Sequence, residues 1–411
     1  MPAPIPHPFP MKIGLVTGEF PPMEGGVGAF TRELARALAA AGHEMHVLTH
    51  RDARPAPPPG ERYGYSRLRE PFSVPFGQLH PRAGRWGWAD AGLIPDLVLR
   101  YELDVLNIQY QAAAYNMRSP ALNLAPWRLK GLVPTVVTFH DLRVPYLFPK
   151  AGRLRRMAVE FMARQAAGVI VTNRQDYREL QRLGIGDGRL EEIPIGSNIG
   201  VHEVAPEEVL VARRQLGVRP VDCLLGYFGF LNESKGADTL VRALARLDGN
   251  FQLVFVGGRT GASDSANNQA FLERLDSLIK ELGLEARVHW TGFLSDEEVS
   301  LHLNAADLMV LPYRDGISLR RGTLMAALAH GRPVLSTEPA GPTPPLAHGD
   351  NVWLVPRDDE VALAEAIRHL GARPDLRERL GRGAAAIAPH FTWERIAAQS
   401  AAFYRQLMVD G

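Results

Sequence analysis

The sequence is poor in three things, and each absence closes a class of function. It carries one cysteine, Cys223, which rules out an intrachain disulfide framework and a multi-cysteine zinc site and fits a reducing, cytoplasmic setting. Cys223 opens the apolar run Cys223-Leu224-Leu225 and reads as core. No apolar run approaches the roughly 20 residues a membrane span needs, and no basic-then-apolar leader opens the chain, so a soluble protein is expected. Charge of one sign is also missing: 46 Lys and Arg face 45 Asp and Glu, so no global basic field advertises nucleic-acid binding and any anion site must be local.

What is present is a chain of 411 residues, 46% hydrophobic, enough at roughly 150 residues per domain for two domains. Five prolines mark residues 1–10 as an N-terminal extension. From Met11 the pattern is strand, loop, helix, strand: Ile13 to Thr17, a loop from Glu19 to Gly28, a helix with Val27, Phe30, Leu34 and Leu38 at helical spacing, and Met45 to Leu48. Strand-like runs recur at 104–108, 135–139 and 168–172, and near-continuous β-branched runs between helices predict a parallel sheet covered on both faces. Residues 51–88, rich in Pro, Gly and Arg without a period, read as a surface excursion facing an acceptor. The alternation restarts at Cys223, with strands at 223–228, 251–256, 288–290, 308–311 and 333–336 and helices at 235–247 and 270–282. The fold class is therefore α/β. Its expected division is a first Rossmann-like domain over 11–198, a linker over 199–220, a second domain over 221–392, and a last helix within 393–411 that returns to the first.

Four clusters can carry chemistry. Gly25-Gly26-Val27-Gly28 lies between a strand and its helix, where bare amides and the helix dipole favour a phosphate or where a tight turn needs glycine. Gly229 to Gly236 occupies the equivalent loop of the second half and puts Lys235 at a helix start, which suits a diphosphate lying between cation and helix, or a solvated lysine. Ser318, Arg320 and Arg321 lead into a Leu-, Met- and Ala-rich helix whose free amides begin at Gly322 and Thr323, an anion cradle. His140 ends one strand and Gln109-Tyr110 another at one sheet edge, where sugar hydroxyls would be contacted, although Tyr110 reads equally as packing.

With Thr138-Phe139-His140-Asp141, Ile193-Pro194-Ile195-Gly196, Lys235 to Leu240, Phe255-Val256-Gly257-Gly258, Ala306 to Pro312 and Gly331-Arg332-Pro333-Val334 in this order, the chain resembles the group 1, GT4-like retaining glycosyltransferases from Met11 onward. That resemblance implies a GT-B fold, two Rossmann-like domains facing across a cleft, with the nucleotide sugar bound mainly by the second domain and the acceptor by the first. It implies that Gly26 and Gly28 approach the donor phosphates, that His140 touches the transferred sugar, that Lys235 neutralises the leaving diphosphate, and that neither a metal nor another cofactor is needed.

The chain departs from the family pattern at Phe230, where an arginine is usual, and at Ser318 and Ala326, where two glutamates are usual. Arg320 and Arg321 are the expected replacement for the cation missing at 230, since losing acids and gaining arginines both favour a dianion. The acceptor is a carbohydrate, a lipid-linked sugar or a small molecule. The basic run Arg153-Leu154-Arg155-Arg156 reads as a solvated face or as a weak peripheral membrane contact. A catalytically inactive relative or partner subunit would bind donor without turnover, and an epimerase would convert donor without an acceptor. A nicotinamide dehydrogenase is disfavoured because Glu19 to Gly28 lacks the dinucleotide glycine spacing.

Overall fold

The computed structural model describes residues 9–23, 25–57, 62–64, 69–115, 119–142, 152–186, 188–258 and 265–409. The proline-rich start at residues 1–8 and the side chains of Arg153, Leu154 and Arg155 lie outside that description. Two compact units divide the chain, one of Met1–Pro194 with Trp393–Gly411 and one of Ile195–Thr392.

The first unit is built on strands β1 (Lys12–Thr17), β2 (Glu44–His50), β3 (Phe72–Val74), β4 (Gly77–Ala83), β5 (Val105–Tyr110), β6 (Thr135–Phe139), β7 (Gly168–Val171) and β8 (Leu190–Glu192). They lie in the order β3-β4-β2-β1-β5-β6-β7-β8, parallel except for the β3–β4 pair. β1, β5, β6 and β7 are buried almost throughout, the consequence of apolar runs covered by helices on both faces. The helix Trp393–Val409 completes this unit: Ile396, Phe403, Tyr404 and Leu407 are buried, and Trp393 packs edge-on to Phe30 with ring centroids 5.1 Å apart. The segment 51–88 is not only a surface excursion. It contributes β3 and β4; β4 runs parallel to β2, and His80 on β4 stacks on His46 on β2.

The second unit repeats the plan with β9 (Cys223–Phe228), β10 (Phe251–Val256), β11 (Val288–Trp290), β12 (Leu308–Leu311), β13 (Val334–Thr337) and β14 (Trp353–Val355) in the order β11-β10-β9-β12-β13-β14, all parallel. Where a linker was expected, the structure has the helix Pro206–Gln215 inside this unit. Arg213 ties it down, donating to Ala305 O, Asp307 Oδ2 and Asp222 O at 2.8–2.9 Å.

In each sheet the order reverses beside the first strand, between β1 and β5 and between β9 and β12. Open α/β sheets hold ligands outside the carboxyl ends of the strands at such a point.

Candidate functional site

In the second unit the reversal point gathers several of the expected residues. β9 ends at Phe228, and Gly229 follows with φ 111°, a left-handed conformation that favours glycine. A Cβ on Gly229 would fall 2.4 Å from Thr323 Cγ2 and 3.6 Å from Lys235 Nζ, so Gly229, Lys235 and Thr323 share one corner. Lys235 does not open the helix as expected. It closes the short 3-10 turn Glu233–Lys235, and the helix Ala237–Ala245 begins after Gly236. Among the described residues Lys235 forms no ion pair. Burial, and secondarily the Arg321 guanidinium, push its ammonium down to about 8.

Across from it, the helix Gly322–Ala329 carries Arg321 at its N-cap with no side-chain hydrogen bond to the first turn. The turn thus keeps its dipole for a ligand. Thr323 Oγ1 and Tyr313 OH share a hydrogen bond of 2.6 Å. The Arg321 guanidinium lies 4.8 Å over the Tyr313 ring and donates to Asp315 Oδ1, while Arg320 Nη2 is 3.9 Å from Asp315 Oδ2. The two arginines expected to replace a missing cation are therefore partly neutralised by Asp315, and Lys235 is the unspent charge of the group. Ser318 sits in the same loop, its carbonyl accepting from Arg321 N at 3.2 Å. Ala326 is fully buried in the hydrophobic core, and the Phe230 ring lies 3.5 Å from where a Cβ on Gly258 would stand.

In the first unit the residues group differently. His140 follows β6, its amide donating to Tyr110 O at 3.0 Å, its ring edge-on to Phe30 at 4.7 Å, and its Nε2 3.0 Å from Gln109 Oε1. Burial lowers its pKa to about 4, so the imidazole is neutral at pH 7. Gln109 is fully buried and serves as the partner of His140 instead of facing an acceptor. Tyr110 is packing: 6% exposed, it meets the Phe139 ring edge-on at 5.5 Å.

The glycine loop holds a larger correction. The amides of Val27 and Gly28, read as bare, donate to Glu19 Oε1 at 3.0 and 3.3 Å, and Gly25 at the N-cap leaves room for that carboxylate. Gly26 alone faces open space. Sequence spacing does not point to Glu19, because its reach of eight and nine residues along the chain is a tertiary contact with no local signal.

Two family models match this chain: "Glycosyl transferase 4-like domain" over residues 25–196 and "Glycosyl transferases group 1" over residues 222–373. The chain belongs to the group 1 glycosyltransferases. Its relatives include a D-inositol 3-phosphate glycosyltransferase of Acidothermus cellulolyticus, 27% identical over 98% of this chain and 91% of the relative. Among solved structures it is similar to the sucrose-phosphate synthase of Thermosynechococcus elongatus, with a TM-score of 0.74 and 23% identity over 98% of this chain and all of that one. Anabaena HepE, solved in complex with UDP and glucose, follows with a TM-score of 0.70 and 21% identity over 95% of this chain and 98% of that one. The transferase thus has the two-domain GT-B fold.

Proposed function

We propose that this transferase moves a sugar from a nucleoside diphosphate sugar to an acceptor hydroxyl with retention of anomeric configuration. The observation that carries the reading is the second unit's corner of Lys235, Gly229 and the uncapped turn at Gly322 and Thr323, an unpaired, half-buried cation beside a helix N-terminus. The two HepE complexes that hold UDP and UDP-glucose support the donor class. Retention rests on the family resemblance.

As the bond to the anomeric carbon breaks, negative charge grows on the diphosphate. Lys235, the amides of Gly322 and Thr323 and, less strongly because Asp315 shares their charge, Arg320 and Arg321 stabilise it more in the transition state than before. Charge neutralisation by side chains leaves this reading with no need of a metal. In the first unit the neutral His140, held by Gln109 and Phe30, is assigned to the transferred sugar as a hydrogen-bonding group and not as a general acid at pH 7.

The acceptor is read as a carbohydrate, a lipid-linked sugar or a small molecule bearing a hydroxyl. Among the described residues no helix is long and apolar enough to cross a membrane. On the helix Gly152–Gln165, exposed Met157 and Phe161 beside Arg156 and Arg164 suit a weak peripheral contact with an anionic surface. A cytoplasmic setting agrees with the buried free thiol of Cys223.

The test is a thermal-shift screen against UDP-, GDP-, ADP- and dTDP-sugars. One nucleotide class raises the melting temperature, Lys235→Ala abolishes the rise, and Arg320→Ala/Arg321→Ala only reduces it. A wild-type protein stabilised by none of the four would overturn the donor assignment.

A further inference from the structure

One charged side chain at the carboxyl edge of the first sheet has no task in that reading. Glu19 follows β1, half-buried, with Oε1 held by the Val27 and Gly28 amides at the start of helix Gly26–Ala40. A cap alone would account for those two bonds. Four points ask for more. Only one carboxylate oxygen is spent, because among the described residues Oε2 accepts no hydrogen bond. The loop is shaped around this carboxylate: a Cβ on Gly25 would fall 2.0 Å from Glu19 Cδ, and one on Gly28 would fall 2.8 Å from the Glu19 carbonyl oxygen. Serine or aspartate at the N-cap would satisfy the turn more simply, without desolvating a carboxyl whose pKa burial raises. The side chain also stands at the point where the strand order reverses between β1 and β5, where open sheets receive ligands.

We propose that Glu19 binds the acceptor: the two amides fix Oε1, and Oε2 accepts a hydrogen bond from the hydroxyl that receives the sugar, or from water when no other acceptor is present. The inference rests on the glycosyl-transfer reading and on the assignment of the diphosphate to the second unit, which leaves the first unit's edge to the other substrate. A consequence concerns charge. The anion seat at Gly25 to Gly28 is filled by the chain's own carboxylate, so the acceptor presents a neutral hydroxyl there and any phosphate it carries lies elsewhere.

Glu19→Gln separates this role from capping. A glutamine oxygen still accepts from both amides, while its nitrogen puts a donor where the free acceptor stood. Release of nucleoside diphosphate is measured from UDP-, GDP-, ADP- and dTDP-glucose, with water alone and with added D-inositol 3-phosphate, alongside melting temperature and nucleotide-induced stabilisation. The expected result is an unchanged melting temperature and unchanged nucleotide response with turnover down by about tenfold or more. Glu19→Ala loses turnover likewise and regains part of it with formate, which refills the amide cradle. Wild-type turnover in Glu19→Gln would show Glu19 to be a cap only and overturn the inference. A wild-type protein that releases no diphosphate from any of the four sugars would instead overturn the donor reading on which it rests.

Discussion

Lys235 concentrates the trade-off between stability and binding in one residue. Its pKa is lowered from 10.5 to about 8, so from about pH 8 to 10.5 the unfolded chain holds a proton that the folded chain has lost. Stability from this group therefore rises with pH across that window, and at pH 7 the partly desolvated charge is a cost. Lys235→Met should stabilise the ligand-free protein at pH 7 by on the order of 1 kcal/mol, seen as a raised melting temperature, while losing nucleotide-induced stabilisation. Calorimetric titration with UDP at pH 7, 8 and 9 gives the complementary check. A bound diphosphate favours the ammonium, so affinity in the wild type should fall above pH 8 by up to about tenfold per pH unit, and in Lys235→Met it should not. A flat wild-type profile would mean that the ammonium does not face the diphosphate.

Among the elements, β4 depends on a buried histidine pair. His46 Nε2 donates to Glu44 Oε1 at 3.0 Å, which leaves His46 Nδ1 to accept from His80 Nε2 at 3.1 Å, an arrangement satisfied with both rings neutral. Burial lowers both pKa values, that of His80 to about 3 with help from His46, Arg82 and Arg100 against Asp96; Lys12 adds to the shift of His46 and Glu44 opposes it. Below the ordinary value of 6.5 the unfolded chain takes up protons that the folded one refuses, so stability falls as pH drops from 6.5 toward 3, by about 1.4 kcal/mol per pH unit for His80, and His46 acts in the same direction. Melting temperatures between pH 7 and 4 should fall less steeply in His80→Gln, from a lower starting point, and parallel curves would refute the assignment. The same strand shows where sequence reading ended. Thr135–Phe139, Cys223–Phe228 and Phe251–Val256 were legible to the residue because apolar runs bounded by turn residues leave little choice of period. β4, with Pro81, Arg82 and no β-branched residue, is a strand by virtue of its partner β2. The helix Pro206–Gln215 carries its own signals, Pro206 at its start, Glu207 and Glu208 in its first turn and Arg213 and Arg214 in its last. At the site the residue types and loops were legible at Gly229, Lys235, Thr323 and His140. The hold of Asp315 on Arg321 and of Glu19 on the glycine loop was not, because each decides whether a charge or an amide is free and neither follows from spacing.

At the scale of the molecule, the chain crosses from the first unit to the second once and returns once, so the two cores differ in what they need. Residues 195–392 contain every strand and helix of the second unit and the whole Lys235 corner, whereas the first unit takes its last helix from beyond the second. Within that helix Tyr404 OH accepts from buried Asn107 Nδ2 at 2.6 Å, and Asn107 Oδ1 in turn accepts from Thr138 Oγ1 at 3.0 Å, a polar link through the middle of the sheet. Gly168 has no Cβ where one would lie 2.4 Å from Leu407, so β7 is fitted to the helix as well. Ending the chain at residue 392 would uncover Ile396, Phe403, Tyr404 and Leu407 contacts at about 1.5–3 kcal/mol per large side chain and leave a buried asparagine donor unpaired at about 1–3 kcal/mol more. That total rivals the stability of a whole domain. The truncated chain should therefore lose the first unit's cooperative unfolding transition. The fragment 195–392, expressed alone, should melt as one cooperative unit and keep the nucleotide-induced shift, because the cation, the uncapped turn and the glycine that admits them all lie within it. If the fragment folds without responding to any nucleotide, the diphosphate depends on residues outside 195–392, and the role assigned to Lys235 would have to be shared with them.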